Sequence, residues 1–204
     1  MKNRFGASNE LGVFEMSSSG LRPVLNPSEL FLSERTTGVP GSVVLASMEG
    51  SRPLLVEIQA LVSSTHYGTA KRTANGVDGN RLSLLLAMLE RRCGYELQVC
   101  DVYVNAAGGL SLQEPAVDLA VALAVISSLT NRALDPSLAV FGELGLAGEV
   151  RAVSFAALRA RETRALGFSH CALPKANLPL GEKVEGLELI GLDSLREDLR
   201  GLLL

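Results

Sequence analysis

Residues 116–130, Ala-Val-Asp-Leu-Ala-Val-Ala-Leu-Ala-Val-Ile-Ser-Ser-Leu-Thr, carry apolar side chains around nearly the whole circumference of a helix. A helix with one apolar stripe can lie on a surface, whereas one that is apolar all round has to be wrapped on every side. The stretch therefore predicts a buried central helix, with Pro115 in its first turn, where a missing N–H costs nothing. A chain of 204 residues that is 47% hydrophobic and 20% charged has enough apolar surface to wrap it. Asp118 interrupts the run, and because a buried carboxylate is costly without a partner, it is expected to be a cap or one half of an ion pair.

The remaining pattern supplies the wrapping. Leu82, Leu85, Leu86 and Leu89 share one helical stripe from which Arg81, Ser83, Glu90 and Arg91 are excluded, so an amphipathic surface helix is predicted from Asn80. Strands are predicted for the β-branched and apolar runs at 43–45, 54–62 and 99–106, and near 171–173 and 187–190. Residues 138–143 and 149–153 read as a strand pair across the turn at Gly145 to Gly148, followed by a helix capped by Ser154 and Gly167. A last helix is predicted from Ser194. Residues 1–37 read as polar connections around Val13-Phe14 and Leu30-Phe31-Leu32, with a turn at 17–20, too small for a core of their own. The loop from Thr36 to Gly41 is taken as the boundary between residues 1–37 and a domain spanning 38–204. The sum is an α/β domain with a mixed sheet.

The longest apolar stretch, residues 119–126, is far short of the roughly 20 residues that cross a bilayer. The start Met1-Lys2-Asn3-Arg4 lacks a secretory core, so a cytoplasmic protein without membrane contact is expected. Cys93, Cys100 and Cys171 show no CxxC spacing, and only His66 and His170 could join them in a metal site. Reduced structural thiols are expected, and both histidines are read as surface or hydrogen-bonding groups. The net charge of −3 excludes a chain that coats nucleic acid everywhere. Residues 71–92 nevertheless hold Lys71, Arg72, Arg81, Arg91 and Arg92 against Asp78 and Glu90, five minus two, or +3. Arg159, Arg161 and Arg164 form a second basic helix, with Glu162 among them.

Lys2-Asn3-Arg4-Phe5-Gly6 matches the KNRFG signature of the RadA (Sms) family of bacterial DNA repair and recombination proteins. Asn26-Pro27-Ser28-Glu29, the run from Gly50 through Leu61, and Phe141-Gly142-Glu143 are similar to that family as well. The part after the signature resembles the proteolytic domain of Lon. The resemblance implies a Lon-protease-like α/β fold preceded, over residues 1–37, by the end of a RecA-like ATPase core. It also implies an amino-terminal zinc finger and ATP or ADP with Mg in a full-length protein. No cofactor is expected in this chain, because no G-x-x-x-x-G-K-[ST] phosphate loop occurs in it. The chain is accordingly expected to be a piece of a longer protein.

In Lon a serine at a helix start is the nucleophile and a lysine on a later helix is its base, a dyad that needs both side chains within hydrogen-bond reach. Residues 114–118, Glu-Pro-Ala-Val-Asp, stand where the serine motif is expected, which puts Ala116 at the nucleophile position and Ala157 at the base. A methyl group can neither attack a carbonyl nor take a proton, so no catalytic residue is expected. The resemblance implies a scaffold that oligomerises, as a hexameric ring, binds single-stranded or branched DNA, and works with RecA beside an ATP-dependent branch-migration helicase. Lys71, Arg72, Arg81, Arg91 and Arg92 are the expected DNA contacts. Lys2 and Arg4 are expected near a subunit junction, where cations can stabilise nucleotide phosphate in trans. The alternatives are a protein-interaction module without DNA contact and a serine peptidase with a relocated dyad, Ser111 or Ser154 with Lys175.

Overall fold

The computed structural model describes residues 14–17, 20–24, 26–65, 68–198 and 201–203. Its centre is the predicted buried helix, α3 (Asp118–Thr130), which follows a tight turn at Pro115–Val117. Every residue of α3 from Asp118 to Ser127 is buried. Its wrapping is a seven-stranded sheet whose elements, in chain order, are β3 (Ser42–Glu49), β4 (Arg52–Ser64), β5 (Arg72–Asn75), β6 (Cys100–Ala106), β7 (Leu138–Val140), β10 (His170–Pro174) and β11 (Glu188–Leu192). Their spatial order is β11-β10-β7-β3-β4-β6-β5. Within this sheet β4 is antiparallel to both its neighbours, and the other pairings are parallel.

Helix α3 packs against β3 and β4, and α2 (Gly79–Met88) packs against β5 and α3. The predicted stripe of α2 is the face it buries, with Leu82, Leu85 and Leu86 inside and Asp78 capping its first turn through Arg81 N–H at 2.6 Å. Helix α4 (Ala156–Ala165) packs against β3, β4 and β10. Two serines of α3 replace missing strand partners where the chain bends: Ser127 Oγ accepts from Gly41 N–H at 2.9 Å and Ser128 Oγ from Val62 N–H at 2.9 Å. Gly41 is required there, because its φ is +88° and a Cβ would stand 2.2 Å from the Ala60 carbonyl oxygen.

Three expectations are corrected. Residues 138–140 are a strand of the main sheet between β3 and β10, and only β8 (Glu143–Leu144) and β9 (Val150–Arg151) form the hairpin. The split occurs because Gly142 leaves the sheet, its N–H donating to the Ala116 carbonyl and its carbonyl accepting from Leu119 N–H, whereas Phe141 N–H still closes the ladder onto Ala172. Helix α4 is not capped by Ser154. Its first flanking residue is Phe155, in the left-handed region at φ 61°, without a side-chain cap bond. Residues 14–17, 20–24 and 26–32 are more than connections: β1 (Phe14–Ser17) and β2 (Gly20–Pro23) pair antiparallel, and α1 (Pro27–Leu32) packs on β4. Fully buried Ser28 accepts from Leu55 N–H at 3.0 Å and so fills the place beside β4 that β6 does not reach. The last helix, α5 (Leu195–Asp198), starts one residue after Ser194.

Leu123 is fully buried in the middle of α3. Leu123→Ala is expected to cost about 2–5 kcal/mol, from lost transfer free energy plus the cavity left in a helix whose surroundings close in on all sides. Urea denaturation should show a lower midpoint with an unchanged slope.

Candidate functional site

The turn into α3 and the start of α4 meet over β3, beside the positions, Ala116 and Ala157, that the resemblance to Lon assigns to a nucleophile and base. Ala116 is buried here, but no hydroxyl or amine faces it from Ala157, which is itself half-buried. The space is organised by Glu114 and Arg159 instead. Arg159 Nη2 donates to Glu114 Oε2 at 2.5 Å and Nη1 to Oε1 at 2.8 Å, a two-pronged pair. Arg159 also donates to the Ala46 carbonyl at 2.7 Å and the Ser154 carbonyl at 3.0 Å, and its guanidinium carbon lies 5.5 Å from the centre of the Phe141 ring. Its side chain is 2% exposed. Glu114 accepts two further bonds, from Ser47 Oγ and Met48 N–H, both at 2.7 Å.

Burial alone would push the Glu114 pKa up. The Arg159 hydrogen bonds and charge, with Ser47 and Met48 N–H, outweigh that and leave it below the ordinary 4.5. A second pair lies at the start of α3. Fully buried Asp118 accepts from Arg81 Nε at 2.9 Å and from its Nη2, and from Leu144 N–H at 3.0 Å, while Arg81 also donates to the Leu144 carbonyl at 2.8 Å. Both α3-side carboxylates are thus structural ion-pair partners, as expected for Asp118.

Beside the Glu114–Arg159 pair opens a cavity of about 360 Å³, lined in part by Met48, Ala116, Glu143, Val153, Ser154 and Phe155. Phe155 holds a left-handed backbone that a bulky side chain rarely adopts, and its ring is more than half exposed. Sequence reasoning missed Phe155, Glu114 and Glu143. An apolar helix entered through Glu114 and Asp118 is itself a signal that two distant cations have to arrive.

The predicted basic residues separate into two groups. Lys71, Arg91 and Arg92 have exposed side chains, although Arg92 Nε touches the Leu146 carbonyl at 3.4 Å. Arg72 is turned inward, onto the Leu97 carbonyl at 2.7 Å and the Cys100 carbonyl. Arg81 is committed to Asp118, so Arg72 and Arg81 are reassigned from DNA contacts to structural donors. The second basic helix is likewise spent: Arg159 is buried, Arg161 pairs with Glu182 at 3.2 Å and Arg164 donates to the Glu185 carbonyl at 3.2 Å. Lys2, Asn3, Arg4, Phe5, Gly6 and His66 lie outside the described residues.

The proposed relocated dyad is not assembled, since Lys175 pairs with Asp193 and borders a different cavity from Ser111 and from Ser154. His170 hydrogen-bonds through Nδ1 to Ser137 and Ser169, both at 3.0 Å. The three cysteines are free thiols, and burial pushes the Cys171 pKa up to about 12. Among the described residues no cluster of three or more His, Cys, Asp or Glu side chains could hold a metal, and no helix is long and apolar enough to cross a membrane.

Comparison with known proteins gives one consistent outcome. The chain is 50% identical over 200 residues to the DNA repair protein RadA of Bacillus subtilis (strain 168), covering 98% of the chain and 44% of that relative. Over nearly its whole length the chain is similar to DNA repair proteins named RadA. RadA of Halalkalibacterium halodurans is 51% identical over 199 residues, with the same coverage, and RadA of Listeria monocytogenes serovar 1/2a is 52% identical over 196 residues, covering 94% of the chain and 43% of that protein. The chain therefore spans less than half the length of these RadA relatives. A family model for subunit ChlI of Mg-chelatase matches residues 82–177, the segment running from α2 through β10 that holds both Glu114–Arg159 and Asp118.

A group whose folded pKa is depressed adds stability that is present above its unfolded value and lost as pH falls through the folded one. Glu114 is such a group. The stability gap between the natural chain and Glu114→Gln is therefore expected to be widest above about pH 5 and to narrow as pH falls below the ordinary carboxylate range near 4.5. Thermal unfolding of both proteins across that range measures the gap. A gap independent of pH would contradict the assignment.

Proposed function

We propose that the chain is a non-peptidase, Lon-like scaffold within a RadA-type DNA repair protein, and that it presents DNA-contacting surface and subunit contacts to an ATPase supplied elsewhere in that protein. The observation that carries the reading is the replacement of a nucleophile and base, at Ala116 and Ala157, by the buried Glu114–Arg159 pair. A serine without an adjacent base is a poor nucleophile at neutral pH, and the carboxylate here is held in its ionised form by four hydrogen bonds rather than poised to exchange a proton. The mixed sheet with α3 and α4 meeting over β3 supports the Lon-like part. The names and identities of the relatives support the repair role.

In this reading the chain itself carries no cofactor, while ATP or ADP with Mg and a zinc finger belong to other parts of the protein. Its partners are other copies in a hexameric ring, single-stranded or branched DNA, and RecA. Residues 1–37 close the ATPase core and 38–204 form the scaffold, with Lys2 and Arg4 near the subunit junction. The DNA surface narrows to Lys71, Arg91 and Arg92, because those side chains remain exposed while Arg72 and Arg81 are engaged internally. Repetition around a ring multiplies a small charge per chain into a strong field.

The joint variant Lys71→Ala, Arg91→Ala, Arg92→Ala is expected to weaken DNA binding across sequences. It should also reduce the slope of log affinity against log salt by roughly one unit for each phosphate that is no longer neutralised. Arg72→Ala should lower stability without a comparable change in that slope. An unchanged slope in the triple variant, with oligomeric mass unaltered, would reject the DNA surface. Cleavage of an unfolded protein substrate by the purified chain, abolished by Ser154→Ala or Ser111→Ala, would reject the scaffold reading.

A further inference from the structure

The cavity beside the Glu114–Arg159 pair is not lined by Lys71, Arg91 or Arg92, and its chemistry differs from that of the basic surface. Arg159 and Glu114 cancel, since each satisfies the other in a two-pronged pair. The carboxylate left over on the cavity wall is Glu143, which is 29% exposed. Arg151 pairs with it at 3.7 Å but is shared with Glu149, which holds it more closely through Nη2 at 2.5 Å and Nε at 2.9 Å, and Arg81, itself committed to Asp118, acts on it electrostatically. The cavity is therefore locally acidic while its floor is closed by an ion pair.

Apart from Ser154, the other side chains on the walls are apolar, and one is aromatic. Met48, Pro115, Ala116 and Val153 offer methylene-sized contact, and Phe155 borders the same space with its ring more than half exposed. An aromatic ring, a carboxylate and an apolar sleeve together fit a cation on a hydrocarbon stem: the stem packs against the walls, and the head reaches the ring face and the carboxylate. A cavity of about 360 Å³ is far larger than a bare ammonium needs and accommodates such a stem. The adjoining segment is held rigidly, because Asn177 donates to the Val153 carbonyl at 2.9 Å and accepts from Val153 N–H at 3.0 Å.

We propose that this cavity is a docking site for a lysine or arginine side chain carried on a peptide segment of a partner protein, with Glu143 neutralising the cationic head and Phe155 covering it. The part of the Glu143 charge that Arg151, shared with Glu149, leaves unneutralised selects a cation over an anionic or neutral side chain. The apolar walls select the long side chains over a short amine.

The test is titration of the 204-residue chain with a fluorescent alanine-rich hexapeptide bearing one central arginine, beside the same peptide with glutamate in its place and beside free arginine amide. The arginine peptide should bind measurably, the glutamate peptide at least about tenfold more weakly, and free arginine amide more weakly than the peptide. Glu143→Gln should weaken the arginine peptide about tenfold, and Phe155→Gly several-fold, since the latter removes the ring while suiting the left-handed backbone. Neither residue is in the core, so circular dichroism should show both variants folded. Absence of binding, equal binding of the glutamate peptide, equal binding of arginine amide, or affinity unchanged by both substitutions would each overturn the proposal.

Discussion

A guanidinium with almost no exposure sits where three parts of the chain converge, and the arrangement around α3 depends on it. Removing Arg159 and Glu114 from water costs several kcal/mol per ion, which only close geometry and full hydrogen bonding can offset. Both conditions are met: the pair is two-pronged, and Ala46, Ser154, Ser47 and Met48 take or supply the remaining bonds. Because these partners belong to β3, the turn before α3 and the start of α4, one interaction sets the relative placement of all three. The Asp118–Arg81 pair acts similarly one turn further on, joining α3 to α2 and to β8 through Leu144.

This arrangement is unsuited to nucleophilic chemistry at this place. A nucleophile and base have to share a proton, which requires groups whose charge states can change. The region instead holds a carboxylate stabilised in its charged form by the guanidinium paired with it. The same two side chains that close the floor leave a cavity above it.

The strongest sequence signals are those with a long period. The all-round apolar character of residues 116–130 and the stripe of Leu82, Leu85, Leu86 and Leu89 lead directly to α3 and α2, because burial of a helix face is a local property of its own residues. The strand at 138–140 is harder to delimit because its apolar run continues into Phe141, and only the tertiary hydrogen bond from Gly142 N–H to the Ala116 carbonyl ends it. The antiparallel pair of β1 and β2 keeps Phe14, Met16 and Leu21 exposed, so it lacks the buried alternation that marks a strand in sequence. Charge is least legible. Arg72, Arg81 and Arg159 count equally with Lys71 and Arg91 along the chain, yet their partners lie far away in sequence. For Arg81 and Arg159 the missing clue is the carboxylate that the buried helix brings with it.

The most direct measurement of this account is a double-mutant cycle on Glu114 and Arg159 by urea denaturation, with Glu114→Leu and Arg159→Met made singly and together. Each single substitution strands a charge in a buried place and is expected to cost about 3–5 kcal/mol, whereas the apolar pair removes both charges and should cost far less than the sum. Losses that simply add would contradict the account, because they would mean that the two side chains contribute independently and that their pairing does not organise the site.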